Sequence, residues 1–492
     1  MAYLIGLDAG TTNQKAILFY EDGTIVAQAS CPTKTLPAPD GGAVYDPAQL
    51  WEAMSGLLRK VTAAAGAAVV AQIKGIAVTG MGEAGLLLDE AGEPLCPIMA
   101  WFDIRPRSYT EWWAKKVGEN QVVSITGMRP QYIFSANKLL WLQEHLPEHF
   151  RRAWKWACVE DYIAFRLCGE LKMDVTIASR TMLMDLSLGN WSPPLLDAVG
   201  LRQEQLPELV PSGAYIGEVT EGAARCTGLL PGTPVFAGGH DHICGALACG
   251  ILGTDRILDS SGTAEELLLV SSDIERVLPL GRDGFNVGRY AKPGQFYMAG
   301  GIPASGASVD WFRDQFGAVE EMVPGAHGLL FLPHLRGSSS PERDACSRGA
   351  YLGIRSEHAK ADFAQAIYEG LGFELRLTAE RLLRGEEIQK MVAIGGGTKN
   401  RPWLQTKADI LGVSIEIPVT REATALGAAL LAGIGADVYK DAEDAVRRTY
   451  RVESTAYPRQ EYSRLYEKMF KVYKELYRDL RPVYQRFEEV GV

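Results

Sequence analysis

Residues 3–20 read YLIGLDAGTTNQKAILFY, and residues 256–270 read RILDSSGTAEELLLV. In the first stretch, 3–8 and 15–20 are apolar runs, separated by the small and polar Ala9-Gly10-Thr11-Thr12-Asn13. Two such runs around such a spacer read as strand, tight turn, strand. The second stretch repeats the grammar. Arg256-Ile257-Leu258 leads into Asp259-Ser260-Ser261-Gly262-Thr263, and the apolar run 267–270 follows. A similar hairpin opening each half suggests an internal structural duplication, although residue-by-residue repetition is weak.

Helices alternate with strands around both hairpins. Residues 46–64 carry Leu50, Met54, Leu57 and Leu58 at helical spacing, and 73–79 and 85–89 read as strands. In the second half, a helix over 360–383 precedes a strand over 391–394, which runs into Gly395-Gly396-Gly397. Helices over 402–411 and 461–480 follow. This is the grammar of an α/β fold, and 492 residues suffice for two large domains. The boundary is expected near residue 250, giving lobes 1–250 and 251–492. The cleft between them is the expected small-molecule site.

Composition narrows the class. Hydrophobic residues make up 47% and charged residues 22%, as in a globular enzyme with a sizeable core. A net charge of -10 without any long basic run speaks against nucleic acid as a partner. The eight cysteines are scattered without a CxxC pair, so they read as free thiols in a reducing compartment. There is no secretory-type leader and no apolar run long enough for a bilayer, which makes a cytoplasmic protein without membrane association the expectation.

Four constellations carry chemistry. In Asp8–Lys15, successive backbone N–H groups and the hydroxyls of Thr11 and Thr12 suit phosphate oxygens, and Asp8 can hold a hydrated Mg²⁺. An ordinary hairpin turn is the alternative there. Ser260-Ser261-Gly262-Thr263 is the matching turn of the second half, and two such turns facing across a cleft can grip the outer phosphates of a nucleotide from both sides. Gly395-Gly396-Gly397-Thr398-Lys399-Asn400 lets backbone lie against a ring or sugar. In Gly238-Gly239-His240-Asp241-His242, a lone carboxylate follows two glycines, as a phosphoryl-transfer base requires. A metal site on His240, Asp241 and His242 is the competing reading, with no further histidine cluster to complete it.

Together these segments resemble the FGGY carbohydrate kinase family, which includes glycerol kinase, gluconokinase, xylulokinase and fuculokinase. The resemblance runs from Ile5 to about Tyr439. Its most specific element is Gly349-Ala350-Tyr351-Leu352-Gly353-Ile354 followed by Asp362-Phe363 and Ala366-Ile367-Tyr368-Glu369. Trp101-Phe102-Asp103-Ile104-Arg105, Ala178-Ser179-Arg180-Thr181, the segment 395–409 and Ala425-Leu426-Gly427-Ala428-Ala429 also match in order.

The resemblance implies two actin/hexokinase-like (ribonuclease H-like) lobes around a central cleft, holding ATP and Mg²⁺. It implies Asp241 as general base, with Thr11, Thr12, Asn13 and Lys15 in the first phosphate loop. Gly262, Thr263, Gly306, Gly396, Gly397 and Asn400 would contact nucleotide from the second lobe. Asp8 would serve the metal, and Glu83, Trp101, Asp103 and Asp241 the sugar. The implied activity is transfer of the γ-phosphoryl group to a primary hydroxyl of a ketose or polyol, with a ketopentose or 6-deoxyketohexose such as xylulose or fuculose foremost. A homodimer is an open option. The alternative is an actin-like switch or chaperone-type ATPase, which needs neither Asp241 nor the segment 80–103. The chain departs from the family at Gly337-Ser338-Ser339-Ser340-Pro341, where relatives carry Gly-Glu-Arg-x-Pro. It departs again at His242, and at Gly82, which is expected to leave space where relatives are bulkier.

Overall fold

Strands Tyr3–Ala9 and Asn13–Tyr20 pair antiparallel with Asp8 opposite Lys15, and Ile25–Pro32 extends the meander. On its other side Tyr3–Ala9 pairs in parallel with Ile73–Gly80, which pairs in parallel with Pro234–His240. Tyr215–Glu218 closes this six-stranded sheet. The second hairpin builds the same pattern. Arg256–Ser261, Glu265–Ser271 and Phe296–Ile302 form an antiparallel meander. Lys390–Ile394 and then Ser414–Pro418 add in parallel to the first strand of that meander. The duplication suggested by the two hairpins is therefore real at the level of sheet topology. The computed structural model describes residues 1–490 of the chain.

Helices Asp241–Ala248 and Ala423–Gly435 cross between the two sheets. Leu4, Ile17 and Phe19 from the first sheet and Leu258, Leu268 and Val392 from the second are buried in one core with Cys244, Leu247, Leu426 and Leu430. The contact is too close for side chains at two points. A Cβ on Gly6 would lie 1.8 Å from the Ala425 carbonyl oxygen, and one on Gly427 would lie 1.9 Å from that of Cys244. Both obstacles are backbone, so strand and helix must move apart to admit a methyl group. Gly6→Ala is accordingly expected to cost about 1–3 kcal/mol, read as a lowered Tm or denaturant midpoint. An unchanged midpoint would show that the seam yields freely.

Elements fall close to their expected positions. The first long helix is Pro47–Ala65, capped by the Asp46 carboxylate, which accepts from the Gln49 N–H at 2.9 Å. Gly85–Leu88 belongs to a separate five-stranded sheet with Lys155–Cys158 and Ile98–Met99. The last helix runs over Gln460–Glu489, longer than expected, and buries Tyr466, Phe470 and Tyr473 against Phe373 and Ile410 of the second lobe. All eight cysteines are free. Among the described residues, no helix is long and apolar enough to cross a membrane.

Candidate active site

Strand Pro234–His240 ends at the cleft and helix Asp241–Ala248 begins with no residue between, which puts the Asp241 carboxylate in the first helical turn. The positive end of the helix dipole favours an anion there. The backbone N–H of His242 donates to Asp241 Oδ1 at 2.6 Å, and His240 Nδ1 lies 3.0 Å from the same oxygen. Burial opposes the charge, but the imidazoles of His240 and His242 and these hydrogen bonds outweigh it and hold the carboxyl well below the usual carboxylate range. Asp241 is ionised at neutral pH. Such a group suits a reaction in which the attacking hydroxyl gives up its proton late.

Asp241 lines two cavities. The first, of about 250 Å³, is bounded by Thr11, Glu83, Trp101 and Arg180 on the first-lobe side and by Glu266 and Tyr297 on the second. Glu83 is 4% exposed and sits at φ 65. Arg180 reaches its Oε1 from Nε at 2.6 Å and from Nη2 at 2.5 Å. Among the described residues this leaves Oε2 as the acceptor available to a ligand. The Trp101 indole N–H donates to Thr11 Oγ1 at 3.0 Å, so Thr11, expected at the phosphates, turns its hydroxyl to the Trp101 wall of this cavity. Lys138 is fully buried beneath this wall and donates to the carbonyls of Trp101 and Ile133. Burial pulls its pKa down to about 8.

Two expectations change here. Asp103 is fully buried, does not line the cavity, and directs both oxygens at Arg105, with Nη2 at 2.5 Å. Its part is to hold the turn after Trp101, since polarity in a motif does not reveal which way a side chain faces. Gly82 leaves no empty space. A Cβ there would lie 2.5 Å from His240 Cδ2, so the imidazole fills the volume. The divergent segment 337–341 touches the site indirectly: Ser340 Oγ donates to the Gly284 carbonyl at 2.6 Å, and the Ser339 carbonyl accepts from the N–H of Arg343, whose guanidinium reaches the cavity residue Asn286 at 3.4 Å.

The second cavity, of about 140 Å³, lies beyond Asp241 and includes Ser260 of the second hairpin together with Thr424. Beside it the turns around 262–263, 306–307 and 395–400 converge. The N–H of Gly306 donates to the Gly262 carbonyl and that of Ala307 to the Thr263 carbonyl, both at 3.1 Å. Gly397 lies so close to Ser261 that a Cβ would come within 2.6 Å of the serine's own, whereas Gly396 faces open space. Asn400 spends its side chain locally: Oδ1 accepts from the Trp403 N–H at 3.2 Å, and Nδ2 donates to the Tyr368 hydroxyl at 2.8 Å. Thr12, Asn13, Gly262 and Thr263 are exposed residues at the tips of the two hairpins and line neither cavity. The Lys15 ammonium pairs with Glu422 at 2.5 Å, just before the crossing helix.

Beneath the second hairpin lies a buried ionic cluster that sequence reading did not find. Lys407 Nζ donates to Asp259 Oδ2 at 2.9 Å and to Ser261 Oγ at 2.6 Å, and pairs with Glu265. Ser305 donates to Glu265 Oε2 at 2.5 Å. The cluster fastens the second hairpin and the turn at Ser305 to the helix Arg401–Leu411.

The residues present fit Mg²⁺. Burial and the neighbouring Asp241 charge push the Asp8 carboxyl up to about 7, and Lys15 offsets only part of this. Two carboxylates repelling each other at a cleft are what a dication relieves. Among the described residues no group of three or more His, Cys, Asp or Glu forms a metal cage. Mg²⁺ keeps waters and uses one or two carboxylates plus phosphate oxygens, so a carboxylate such as Asp8 would suffice on the protein side.

Comparison with known proteins follows the same line. The model of the N-terminal domain of the FGGY family of carbohydrate kinases matches residues 3–248, and that of the C-terminal domain matches 276–436. The xylulose kinase of Bacillus subtilis (strain 168) is 31% identical over 99% of this chain and 100% of its own length. The L-xylulose/3-keto-L-gulonate kinase of Escherichia coli (strain K12) is 29% identical, with 99% of each chain covered. Among solved structures, gluconate kinase from Lactobacillus acidophilus superimposes with a TM-score of 0.90 at 25% identity, covering 99% of each chain. Xylulose kinase from Rhodospirillum rubrum gives 0.89 at 27% identity, covering 98% of this chain and 100% of that one. With both family domains in sequence on a duplicated two-lobed fold, the chain belongs to the FGGY family of carbohydrate kinases.

Proposed function

We propose that this kinase transfers the γ-phosphoryl group of ATP, as its Mg²⁺ complex, to a primary hydroxyl of a ketose, with Asp241 receiving the hydroxyl proton. The observation that carries this reading is the position of Asp241, ionised and shared between two adjoining cavities. In it, residues 1–250 supply the sugar wall and first phosphate turn, and residues 251–492 the nucleotide side. Asp8 would hold Mg²⁺, which neutralises charge on the phosphates. The turns at Thr12 and Thr263 would close on the phosphates as the lobes approach. Because the transition state is loose, positioning and charge neutralisation supply most of the rate. Free cysteines and dependence on ATP accord with a cytoplasmic location.

The substrate is proposed to be a neutral ketopentose or 6-deoxyketohexose, as the xylulose kinases among the relatives also suggest. Charge pairing in the sugar cavity supports this. The cations Arg180 and His242 are each committed to a carboxylate, Glu83 and Glu266. Among the described residues lining that cavity, no Arg or Lys is uncommitted and free to meet a substrate carboxylate. Ketopentoses and 6-deoxyketohexoses should therefore be phosphorylated with higher kcat/KM than gluconate in a coupled ADP-release assay. Glu83→Ala should lower kcat/KM for the sugar strongly while leaving ATP affinity nearly unchanged, because it removes a hydroxyl acceptor and strands Arg180. Gluconate as best substrate, or an unchanged kcat/KM in the variant, would overturn the pocket assignment.

A further inference from the structure

The His242–Glu266 ion pair lies where the two cavities meet. His242 Nδ1 is 3.1 Å from Glu266 Oε2, and both residues line the sugar-side and the nucleotide-side cavity. His242 stands on the helix that begins with the proposed base, and Glu266 on the second-lobe strand Glu265–Ser271. The pair thus spans the cleft at the point a phosphoryl group must cross.

Its two nitrogens are not equivalent. Nδ1 is taken by Glu266, whereas the nearest charged acceptor to Nε2 is Asp241 Oδ1 at 3.8 Å, beyond hydrogen-bond range. The side chain is 44% exposed, so Nε2 is accessible from the cleft. A histidine that served only to tie the lobes together would not need a second nitrogen accessible at the junction of the cavities. The arrangement leaves one ring nitrogen without a charged acceptor in hydrogen-bond range at the junction of the cavities, with an anion on the other.

We propose that His242, as an imidazolium positioned by Glu266, donates a hydrogen bond from Nε2 to the phosphoryl group in transfer. The proposal rests on the kinase reading above. The sugar oxygen attacks the γ-phosphorus, the bond to the bridging oxygen breaks with its electron pair leaving on ADP, and the hydroxyl proton passes to Asp241. His242 keeps its proton throughout and stabilises charge on the non-bridging oxygens. A fixed donor of this kind acts where charge develops in the transition state.

The groups facing His242 are consistent with a permanent cation. Burial would lower its pKa, but Glu266 and then Asp241 outweigh this and push it up to about 10, against the opposing charge of Arg180. The His240 ring stands edge-on at 5.4 Å. Removal of Glu266 takes away the largest of the charges that hold the proton. The pKa of His242 should then fall toward the ordinary value of about 6.5.

The test uses the whole enzyme with Mg²⁺, ADP, aluminium fluoride as the mimic of the transferring phosphoryl group, and the ketose that wild type turns over. His242→Ala should lower kcat by roughly 10²–10³-fold, the loss typical of one oxyanion donor, with little change in either KM. Binding of ADP alone should be preserved while binding of ADP with aluminium fluoride weakens greatly. Glu266→Gln should lower kcat and add a loss of activity as pH rises through 7–8, a range over which wild type is flat. A purely structural role would move neither the pH profile nor the difference between the two ADP complexes. Wild-type kcat in His242→Ala, equal weakening of both complexes, or an unaltered pH profile in Glu266→Gln would each overturn the proposal. Wild-type ADP formation independent of sugar would instead overturn the kinase reading beneath it.

Discussion

Exchange of Asp241 for Asn is expected to lower kcat by roughly 10²–10⁴-fold, the range typical of a positioned acid–base group. The substitution is nearly isosteric. The side-chain oxygen can still accept from the His242 N–H that now donates at 2.6 Å, so the helix start should keep its shape. What disappears is the negative charge that receives the proton and that repels Asp8. Sugar affinity should change little, because Glu83 and Trp101 remain in place. Steady-state ADP release together with calorimetric titration of ADP and ketose separates these effects. Turnover close to wild type would remove Asp241 from the role of base.

Lys407→Ala is the second large effect, this time on stability. The Lys407 side chain is 2% exposed, and those of Asp259 and Glu265 are 0% exposed. Removal of one partner of a buried ion pair leaves uncompensated charge and costs about 3–5 kcal/mol. Even with the lysine present, burial and the Glu265 charge push the Asp259 carboxyl up. Without it, both carboxyls must take up protons in the folded state while their unfolded pKa values stay near the usual carboxylate range. The folded state then binds more protons than the unfolded one, so stability falls as pH rises. The deficit of Lys407→Ala relative to wild type should therefore shrink as pH is lowered from about 8 toward 5. Denaturant midpoints across that range check this, and a deficit that grows at low pH would contradict the buried-carboxylate account.

The hairpins at 3–20 and 256–270 were legible because alternation between apolar runs and small polar turns is local. The sheet order was not. That Lys390–Ile394 lies beside Arg256–Ser261, as Ile73–Gly80 lies beside Tyr3–Ala9, depends on pairings far apart in sequence. The same distance decides what could be read at the site. Asp241 was legible from two glycines and a strand end. The filling of the space above Gly82 by His240 was not, because the two residues meet only through the fold. Arg180 stood in a quoted motif without a role, since nothing local ties it to Glu83. Asp103 had the right chemistry for a hydroxyl, but its neighbour two residues on takes both oxygens. Lys407 sits on an otherwise ordinary amphipathic helix, and a charge at an inward-facing position was the one signal that could have exposed the buried cluster.

The central claim is that phosphate passes from ATP to a sugar hydroxyl across Asp241. Incubation of the full chain with Mg²⁺ and γ-labelled ATP, with and without ketopentoses, 6-deoxyketohexoses, polyols and aldonates, tests it directly. The account predicts label in a sugar phosphate, strongly dependent on the presence of a ketose and nearly abolished in Asp241→Asn. Label released as inorganic phosphate at the same rate whether or not any sugar is present would contradict it.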